Sequence, residues 1–248
     1  MNSVITFVTE NMWILIMSIV SVIVLCGISF AVEKITDSGS EESKANSERL
    51  SAMRTRKLVV SAMLTAIAVI FMYFDFPLPF LPSFYKLDFS ELPVIIGAFT
   101  YGPLTGVIIE FLKILIKTLM KGSSTAFVGE YANFLIGCAF IVPASVMYYV
   151  RKKRSMAVIG LITGCILCTV TGCLLNIYVL LPTYAKVFHM ELDAIIGLGT
   201  KANSSIKDMF TFIAFATAPL NLIKTASVSL VTLCIYKPLS RVIKYGNR

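Results

Sequence analysis

Long apolar runs, separated by short polar segments, extend along most of the chain. Three of these runs, 12–32, 131–150 and 156–182, are about as long as a bilayer-spanning helix, which needs roughly 20 residues. Two further apolar runs cover about 58–74 and 209–236. The pattern predicts an all-α, multi-pass protein of the cell membrane rather than a soluble domain with one large core.

A polar segment at 33–54 separates the first apolar run from the others. Its residues EKITDSGSEESKANSERL (33–50) show no helical spacing of apolar positions, which predicts a mobile cytoplasmic linker. Residues 1–32 have no basic residue ahead of the apolar run and no small-residue cleavage site after it, so they are predicted to form a retained N-terminal transmembrane helix. Residues 55–248 are then predicted to form the main membrane domain.

The stretch LDFSELPVIIGAFTYGPLTG (87–106) interrupts this pattern with acids, prolines and glycines. Its apolar part, 92–101, is too short to cross the bilayer as a helix, so Asp88 and Glu91 are predicted to lie at membrane level. Irregular backbone is tolerated at that depth where it is buried in protein or lines a cavity. The stretch therefore predicts a pocket. Basic residues at the ends of the apolar runs, typical of the cytoplasmic side, place that pocket at the outer face.

Composition supports a membrane protein and narrows the function. The chain has 248 residues, of which 57% are hydrophobic and 15% charged, whereas soluble domains carry about 25% charged residues. The net charge of +8 comes from basic residues that flank apolar runs, which indicates contact with the lipid bilayer and not with nucleic acid. All six cysteines lie in apolar runs and are predicted to be structural. No metal-site spacing, phosphate loop or activated nucleophile is found, so no metal site and no catalytic residues are predicted.

A few polar side chains lie inside the apolar runs, where burial is costly unless they face the bundle interior or a substrate. Asn176 is one, and Asn221 with Lys224 is another, since a spacing of three places an amide and an ammonium on one helix face. Such a pair suits a flat heterocycle with an imide edge, or else a snorkelling lysine beside a helix-packing asparagine. Glu110 and Lys113 show the same spacing and are expected to neutralise each other in the bundle, with a proton relay as the alternative.

Two longer stretches carry a resemblance to a known family. DFSELPVIIGAFTYGPLTGVIIEFLK (88–113), followed by GSSTAFVGEYANFLIG (122–137), resembles the riboflavin-specific substrate-binding subunits, or S components, of energy-coupling factor (ECF) vitamin transporters. The likeness extends from about residue 55 to the end. It implies a six-helix transmembrane bundle, to which residues 1–32 add a helix. It also implies a flavin held near the extracellular face as transported substrate and not as cofactor.

The resemblance also implies roles for individual residues and for partners. Carried over position by position, Leu87, Asp88, Asn176, Asn221 and Lys224 are expected to contact the flavin. Asp88 is expected at the ribityl hydroxyls or the ring edge, and the last three at the polar edge of the isoalloxazine. The partners implied are a transmembrane coupling subunit, or T component, and two ATPase subunits.

Small residues four apart let a second helix approach closely. Gly160 and Gly164 show this spacing, as do Ala62 and Ala66. The alanine pair also matches the alanine-rich face with which the family docks to its coupling subunit, so the resemblance implies that it is a docking surface.

Other functions remain open from the residues alone. The chain could be an autonomous ion-coupled carrier that uses Glu110 and Lys113, a structural membrane scaffold, or an S component for another vitamin such as thiamine. Lys117 and Lys121, near the predicted outer rim, could instead attract the phosphate of FMN or FAD, or be solvated rim residues.

Overall fold

The computed structural model describes residues 12–37, 47–81, 85–123, 127–187 and 190–245, and these are almost entirely helical. The helices of the first part of the chain are α1 (Met12–Asp37), α2 (Ser47–Tyr73), α3 (Glu91–Tyr101), α4 (Pro103–Lys121) and α5 (Val128–Val150). Those of the second part are α6 (Arg154–Leu175), α7 (Leu181–Val187), α8 (Leu192–Ala202), α9 (Met209–Phe212) and α10 (Ala218–Tyr245). The predicted all-α fold is confirmed.

Two π-helical segments join consecutive helices into longer rods. Asn176–Leu180 connects α6 to α7, and Ile213–Thr217 connects α9 to α10. Each π segment ends two residues before a proline, Pro182 or Pro219. Proline cannot donate a backbone hydrogen bond and crowds the preceding turn, so a local change of helical pitch relieves the crowding.

Four helical stretches of the described residues are long and apolar enough to cross a membrane. They are Met53–Tyr73, Val128–Val150, Arg154–Val187 and Met209–Ile235. Together with α3 and α4 they make up six helical segments, and α1 packs against α4 and α5 from outside this set. This agrees with the predicted six-helix bundle carrying one additional N-terminal helix.

Two segments predicted to be non-helical are partly helical. Helix α1 continues to Asp37 and α2 begins at Ser47, so helix occupies both ends of the predicted linker at 33–54. The start of α2 contains strong helix formers such as Glu, Arg, Ala and Met, which form helix outside a membrane as well. Residues 1–11 and 38–46 lie outside the described residues.

The segment predicted as a polar loop at 183–208 also contains helix. Helix α7 reaches Val187, and α8 follows from Leu192 to Ala202. Helix α8 buries Ile195, Ile196 and Gly199 on one side, and this amphipathic pattern accounts for its formation over a polar-looking stretch.

Helix α3 is the centre of the bundle because it contacts α2, α4, α5 and α10. Its side chains Val94, Ile95 and Ala98 are completely buried. The helix ends at Gly102, whose φ of 103° is rarely adopted by residues with a side chain. Pro103 then occupies the first turn of α4, where its missing N–H is not needed.

The predicted close approach at Gly160 and Gly164 is confirmed. A Cβ at Gly160 would lie 2.7 Å from the Ala144 carbonyl oxygen, and one at Gly164 would lie 2.5 Å from the Phe140 carbonyl oxygen. Helix α6 therefore rests directly on the backbone of α5.

Helix α1 is fastened to the sharp turn between α3 and α4. Glu33 Oε1 accepts a hydrogen bond of 2.8 Å from the Leu104 amide, and Glu33 Oε2 lies 3.9 Å from Lys57 Nζ. A carboxylate at the first turn of a helix satisfies an amide without an intrahelical partner and complements the helix dipole.

Candidate binding site

A cavity of about 650 Å³ lies at the end of the bundle where α2 and α4 end and α5 begins. A short antiparallel hairpin forms part of its wall, with β1 (Phe76–Pro77) paired to β2 (Lys86–Leu87). Small-molecule sites in proteins have cavity volumes of about 300–1,000 Å³, so this one can hold a ligand of several rings.

Four of the five residues predicted to bind a ligand line this cavity. Asp88 comes from the loop after β2, Asn176 from the start of the π-helical segment that follows α6, and Asn221 and Lys224 from α10. The structure thus brings together side chains that are up to 136 residues apart in the chain. The fifth, Leu87, is buried in β2 beside Asp88 and does not belong to the lining.

The amide of Asn176 is held by hydrogen bonds on both sides. Its Oδ1 accepts a bond of 2.5 Å from the Tyr85 hydroxyl, and its Nδ2 donates to the Gly172 carbonyl at 2.9 Å. The Tyr85 hydroxyl also lies 2.8 Å from Thr217 Oγ1. Burial raises the pKa of the Tyr85 phenol, which keeps this donor protonated. The amide orientation is therefore set before any ligand arrives.

Thr217 was not anticipated from the sequence. A threonine in an apolar helix commonly bonds the carbonyl four residues earlier, so it gives no polar signal of its own. Its place at the cavity follows from the π-helical segment that it ends, as Asn176 begins the other one. Such segments often occur at functional sites because they redirect side chains.

Lys224 does not lie free in the cavity wall. Its ammonium group is 3.1 Å from Asp88 Oδ2 and 3.4 Å from Glu91 Oε1. Asp88 in turn accepts a bond of 2.8 Å from the Ser90 amide through Oδ1. Burial acts to raise the pKa of the Asp88 carboxyl, but the ammonium groups of Lys224 and Lys113 outweigh it and lower the pKa to about 2. Asp88 is therefore a fixed negative charge at the cavity.

Behind the cavity wall, Glu110 and Lys113 form the predicted ion pair, and Glu91 is a second carboxylate partner of Lys113. Lys113 Nζ lies 2.7 Å from Glu110 Oε2 and 3.1 Å from Glu91 Oε1, with all three side chains 3% exposed or less. The ammonium also donates to Ser90 Oγ at 3.1 Å. Glu91, predicted only to lie at membrane level, links this pair to Lys224.

The rim of the cavity is positively charged. Lys86, Lys117 and Lys121 line it together with Asp75, whose carboxylate lies 3.0 Å from Lys86 Nζ and 3.8 Å from Lys121 Nζ. Attraction of a phosphate by these lysines stays a prediction.

Ala62 and Ala66 lie on an exposed part of α2 and do not line the cavity. Exposed apolar side chains such as Val59 and Ile70 accompany them. Among the described residues, no group of three or more His, Cys, Asp or Glu side chains is arranged to hold a metal ion.

Comparison with known proteins relates most of the chain to one family. A family model described as "ECF transporter, substrate-specific component" matches residues 56–236. The riboflavin transporter RibU of Staphylococcus aureus is 32% identical over 79% of this chain and 96% of its own length. The riboflavin transporter FmnP of Bacillus subtilis is 31% identical over 74% of this chain and 92% of its own. A solved S component of a bacterial ECF transporter matches with a TM-score of 0.61 and 30% identity, over 77% of this chain and 99% of that one.

Proposed function

The chain belongs to the substrate-specific components of ECF transporters, and from this membership we propose that it binds riboflavin in the cavity and delivers it into the cell. It is a membrane transport protein and not an enzyme, so the flavin is its substrate and no covalent step occurs. The names of its relatives support riboflavin as the ligand. In this proposal the protein spans the cell membrane several times, with the cavity opening to the outside.

The observation that carries this proposal is the meeting of Asn176, Asn221 and Lys224 at one cavity. Two amides offer both donors and acceptors, and an ammonium offers donors, which matches the alternating carbonyl and N–H groups at the pyrimidine edge of a flavin. The amide of Asn221 already donates to the Thr217 carbonyl at 3.0 Å, so its orientation is set as well. Apolar side chains of the wall, such as Met72, Ile136 and Leu220, would cover the ring system, while the polar groups orient it.

Asp88 has a separate role in this proposal, as the hydrogen-bond acceptor for the ribityl chain of the ligand. It is ionised, lies at the cavity, and has a carboxylate that accepts hydrogen bonds from hydroxyl groups. The ribityl chain of riboflavin carries several hydroxyls, so a permanent acceptor beside the ring pocket fits it. Leu87 would contribute through the position of β2 and not through direct contact, since its side chain is absent from the lining.

Transport requires partners, and we assign their docking surface to Ala62 and Ala66. The two alanines are one turn apart on the outer side of α2, where small side chains allow close approach of a second helix. A transmembrane coupling subunit would dock there, with two ATPase subunits supplying the energy. The family membership supports these partners.

Binding is tested with detergent-purified protein by titration of riboflavin, followed through quenching of its fluorescence. Asn221→Ala is expected to weaken binding by about 10- to 100-fold, the effect of losing one or two buried hydrogen bonds. Asn203→Ala is the matched control because Asn203 follows α8 outside the cavity lining. Undiminished affinity in the Asn221 variant, or no riboflavin binding in the parent protein, contradicts the proposal.

Coupling is tested by reconstitution with the coupling subunit and the ATPases. Ala62→Phe with Ala66→Phe is expected to abolish ATP-driven uptake while leaving riboflavin affinity unchanged. Ile67→Phe serves as the control, since residue 67 is about 100° further around the helix than residue 66. Uptake by this polypeptide alone in an ion gradient would show an autonomous carrier instead.

A further inference from the structure

Five charged side chains form one connected group behind and beside the cavity, called here the ionic cluster. It consists of Asp88, Glu91, Glu110, Lys113 and Lys224, joined by ion pairs of 2.7–3.4 Å. Three carboxylates and two ammonium groups leave the cluster one negative charge in excess when every group is ionised. A net charge in a bundle interior is costly because little water is present to solvate it.

The excess charge falls on Glu110 and Glu91. Both Glu110 oxygens and Glu91 Oε2 are buried and accept no hydrogen bond from the residues that the structure describes. Lys113 lies close to Glu110 as an ion pair without hydrogen-bond geometry, and its hydrogen bonds go to Ser90 and Glu91. On the other side, a Cβ at Gly137 of α5 would collide with the Glu110 carboxylate. Glu110 is thus enclosed, and it shares the Lys113 ammonium with Glu91.

One bound proton would neutralise the excess negative charge of the ionic cluster and supply a hydrogen-bond donor. Glu110 Oε2 and Glu91 Oε1 lie 2.7 Å and 3.1 Å from the same Lys113 ammonium, which brings the two carboxyl groups close together. Two ionised carboxylates can only accept hydrogen bonds. One proton on this pair converts an acceptor into a donor and makes the cluster neutral. A metal ion is the poorer alternative, because the described carboxylates are not arranged to hold one.

The cluster meets the ligand cavity at only two of its members. Asp88 and Lys224 line the cavity with side chains 10% and 13% exposed, whereas the other three are at most 3% exposed. Water in the open cavity therefore partly screens the excess charge through these two groups. A bound ring system removes that water, and riboflavin, which is uncharged at neutral pH, brings no compensating charge.

Resting on the proposed function, we propose that the Glu110–Glu91 pair of the ionic cluster takes up one proton from solvent when riboflavin binds. The proton forms an O–H bond on a carboxylate oxygen, and no other bond changes. Two further titratable groups lie next to the pair: the Cys138 thiol of α5 beside Glu110, with Cys26 of α1 beyond it, and the Cys168 thiol of α6 beside Glu91. Thiols are ordinarily uncharged at neutral pH. The carboxylates and ammonium groups of the cluster therefore set its charge.

The test is titration calorimetry of purified protein with riboflavin in two buffers of low and high ionisation enthalpy, such as phosphate and Tris. The difference in measured enthalpy gives the number of protons taken up. Across the pH range in which the protein stays folded, this number is expected to pass through a maximum of up to one. Where protons are taken up, the affinity is expected to fall by up to about tenfold for each unit by which the pH rises. Equal enthalpies in both buffers at every pH overturn the proposal.

Glu110→Gln separates the ionic cluster from other sources of protons. The variant has two carboxylates and two ammonium groups, so it needs no proton and is expected to bind riboflavin without proton uptake. Asp193→Asn, at an exposed carboxylate of α8, is expected to keep the parent value. If riboflavin binding to Glu110→Gln is still accompanied by the parent's proton uptake, the assignment to the Glu110–Glu91 pair is overturned. If Glu110→Gln cannot be purified, Glu91→Gln is used in its place. Absence of riboflavin binding in the parent protein would instead contradict the proposed function.

Discussion

Lys224 Nζ lies 3.1 Å from Asp88 Oδ2, and this ion pair joins α10 to the loop that precedes α3 across 136 residues of sequence. The same ammonium lies 3.4 Å from Glu91. A residue selected from sequence as a ligand-binding cation therefore also pairs with two buried carboxylates, Asp88 and Glu91. Loss of binding in a Lys224 variant consequently has two causes, contact with the ligand and stability of the wall.

A double-mutant cycle separates these causes. Lys224→Met is expected to lower the free energy of unfolding by about 3 kcal/mol, because it leaves Asp88 and Glu91 with one ammonium group fewer. Adding Asp88→Asn removes one of those charges and is expected to restore much of the stability but not riboflavin affinity. The four proteins are the parent, Lys224→Met, Asp88→Asn and the double variant. Thermal unfolding in detergent measures their stability, and riboflavin titration measures their affinity. Full recovery of affinity in the double variant would show that Lys224 acts only through the charge of Asp88.

Tyr85→Phe tests the orientation of Asn176. The change removes the hydroxyl that bonds Asn176 and Thr217 but keeps the ring that packs against Phe212, with centroids 5.9 Å apart. Loss of one such bond is expected to weaken riboflavin binding by about 5- to 10-fold with little change in melting temperature. Tyr178→Phe is the control, since Tyr178 is 71% exposed. A melting temperature that falls without any loss of affinity would make Tyr85 structural only.

The sequence predicted the membrane fold and several polar residues of the cavity lining for the same physical reason. Polar side chains are so costly inside apolar helices that Asn176, Asn221 and Lys224 stand out without any alignment. The pairing of Lys224 with Asp88 could not be predicted, because local spacing carries no information on contacts between distant segments. Glu91 was predicted to lie at membrane level, but its bridging of Lys113 and Lys224 depends on the position of α3 at the bundle centre.

The helix at both ends of 33–54 and within 183–208 was not predicted, for a different reason. Both segments are polar, and 33–50 has no helical spacing of apolar positions, whereas helix formation also depends on intrinsic propensity and needs only one buried face. Helix α8 buries only Ile195, Ile196 and Gly199, and that is sufficient. The sequence pattern also did not predict the π-helical segments, although Pro182 and Pro219 indicate where the helical pitch is disturbed.

Gly172→Ala tests whether the position of Asn221 controls affinity. A Cβ at Gly172 would lie 2.6 Å from Asn221 Nδ2, so the amide must move away from its place in the cavity wall. Riboflavin affinity is expected to fall about tenfold or more, while the helix itself gains from alanine. Gly197→Ala is the matched control because nothing lies within 4 Å of the added atom. Equal affinity in both variants would mean that Asn221 does not position the ligand.

Glu33→Ala tests how α1 is attached, since α1 lies outside the matched family region of 56–236. The carboxylate bonds the Leu104 amide at the first turn of α4, whereas the cavity lies at the other end of this 19-residue helix, about 28 Å away. Its loss is expected to cost about 1 kcal/mol and to lower the melting temperature by about 2–4 °C, without a change in riboflavin affinity. Lys34→Ala, at an exposed neighbour on the same helix, is expected to have no effect. If Glu33→Ala weakened riboflavin binding instead, the additional helix would act on the cavity through α4, and its role would extend beyond stabilising the turn at Gly102.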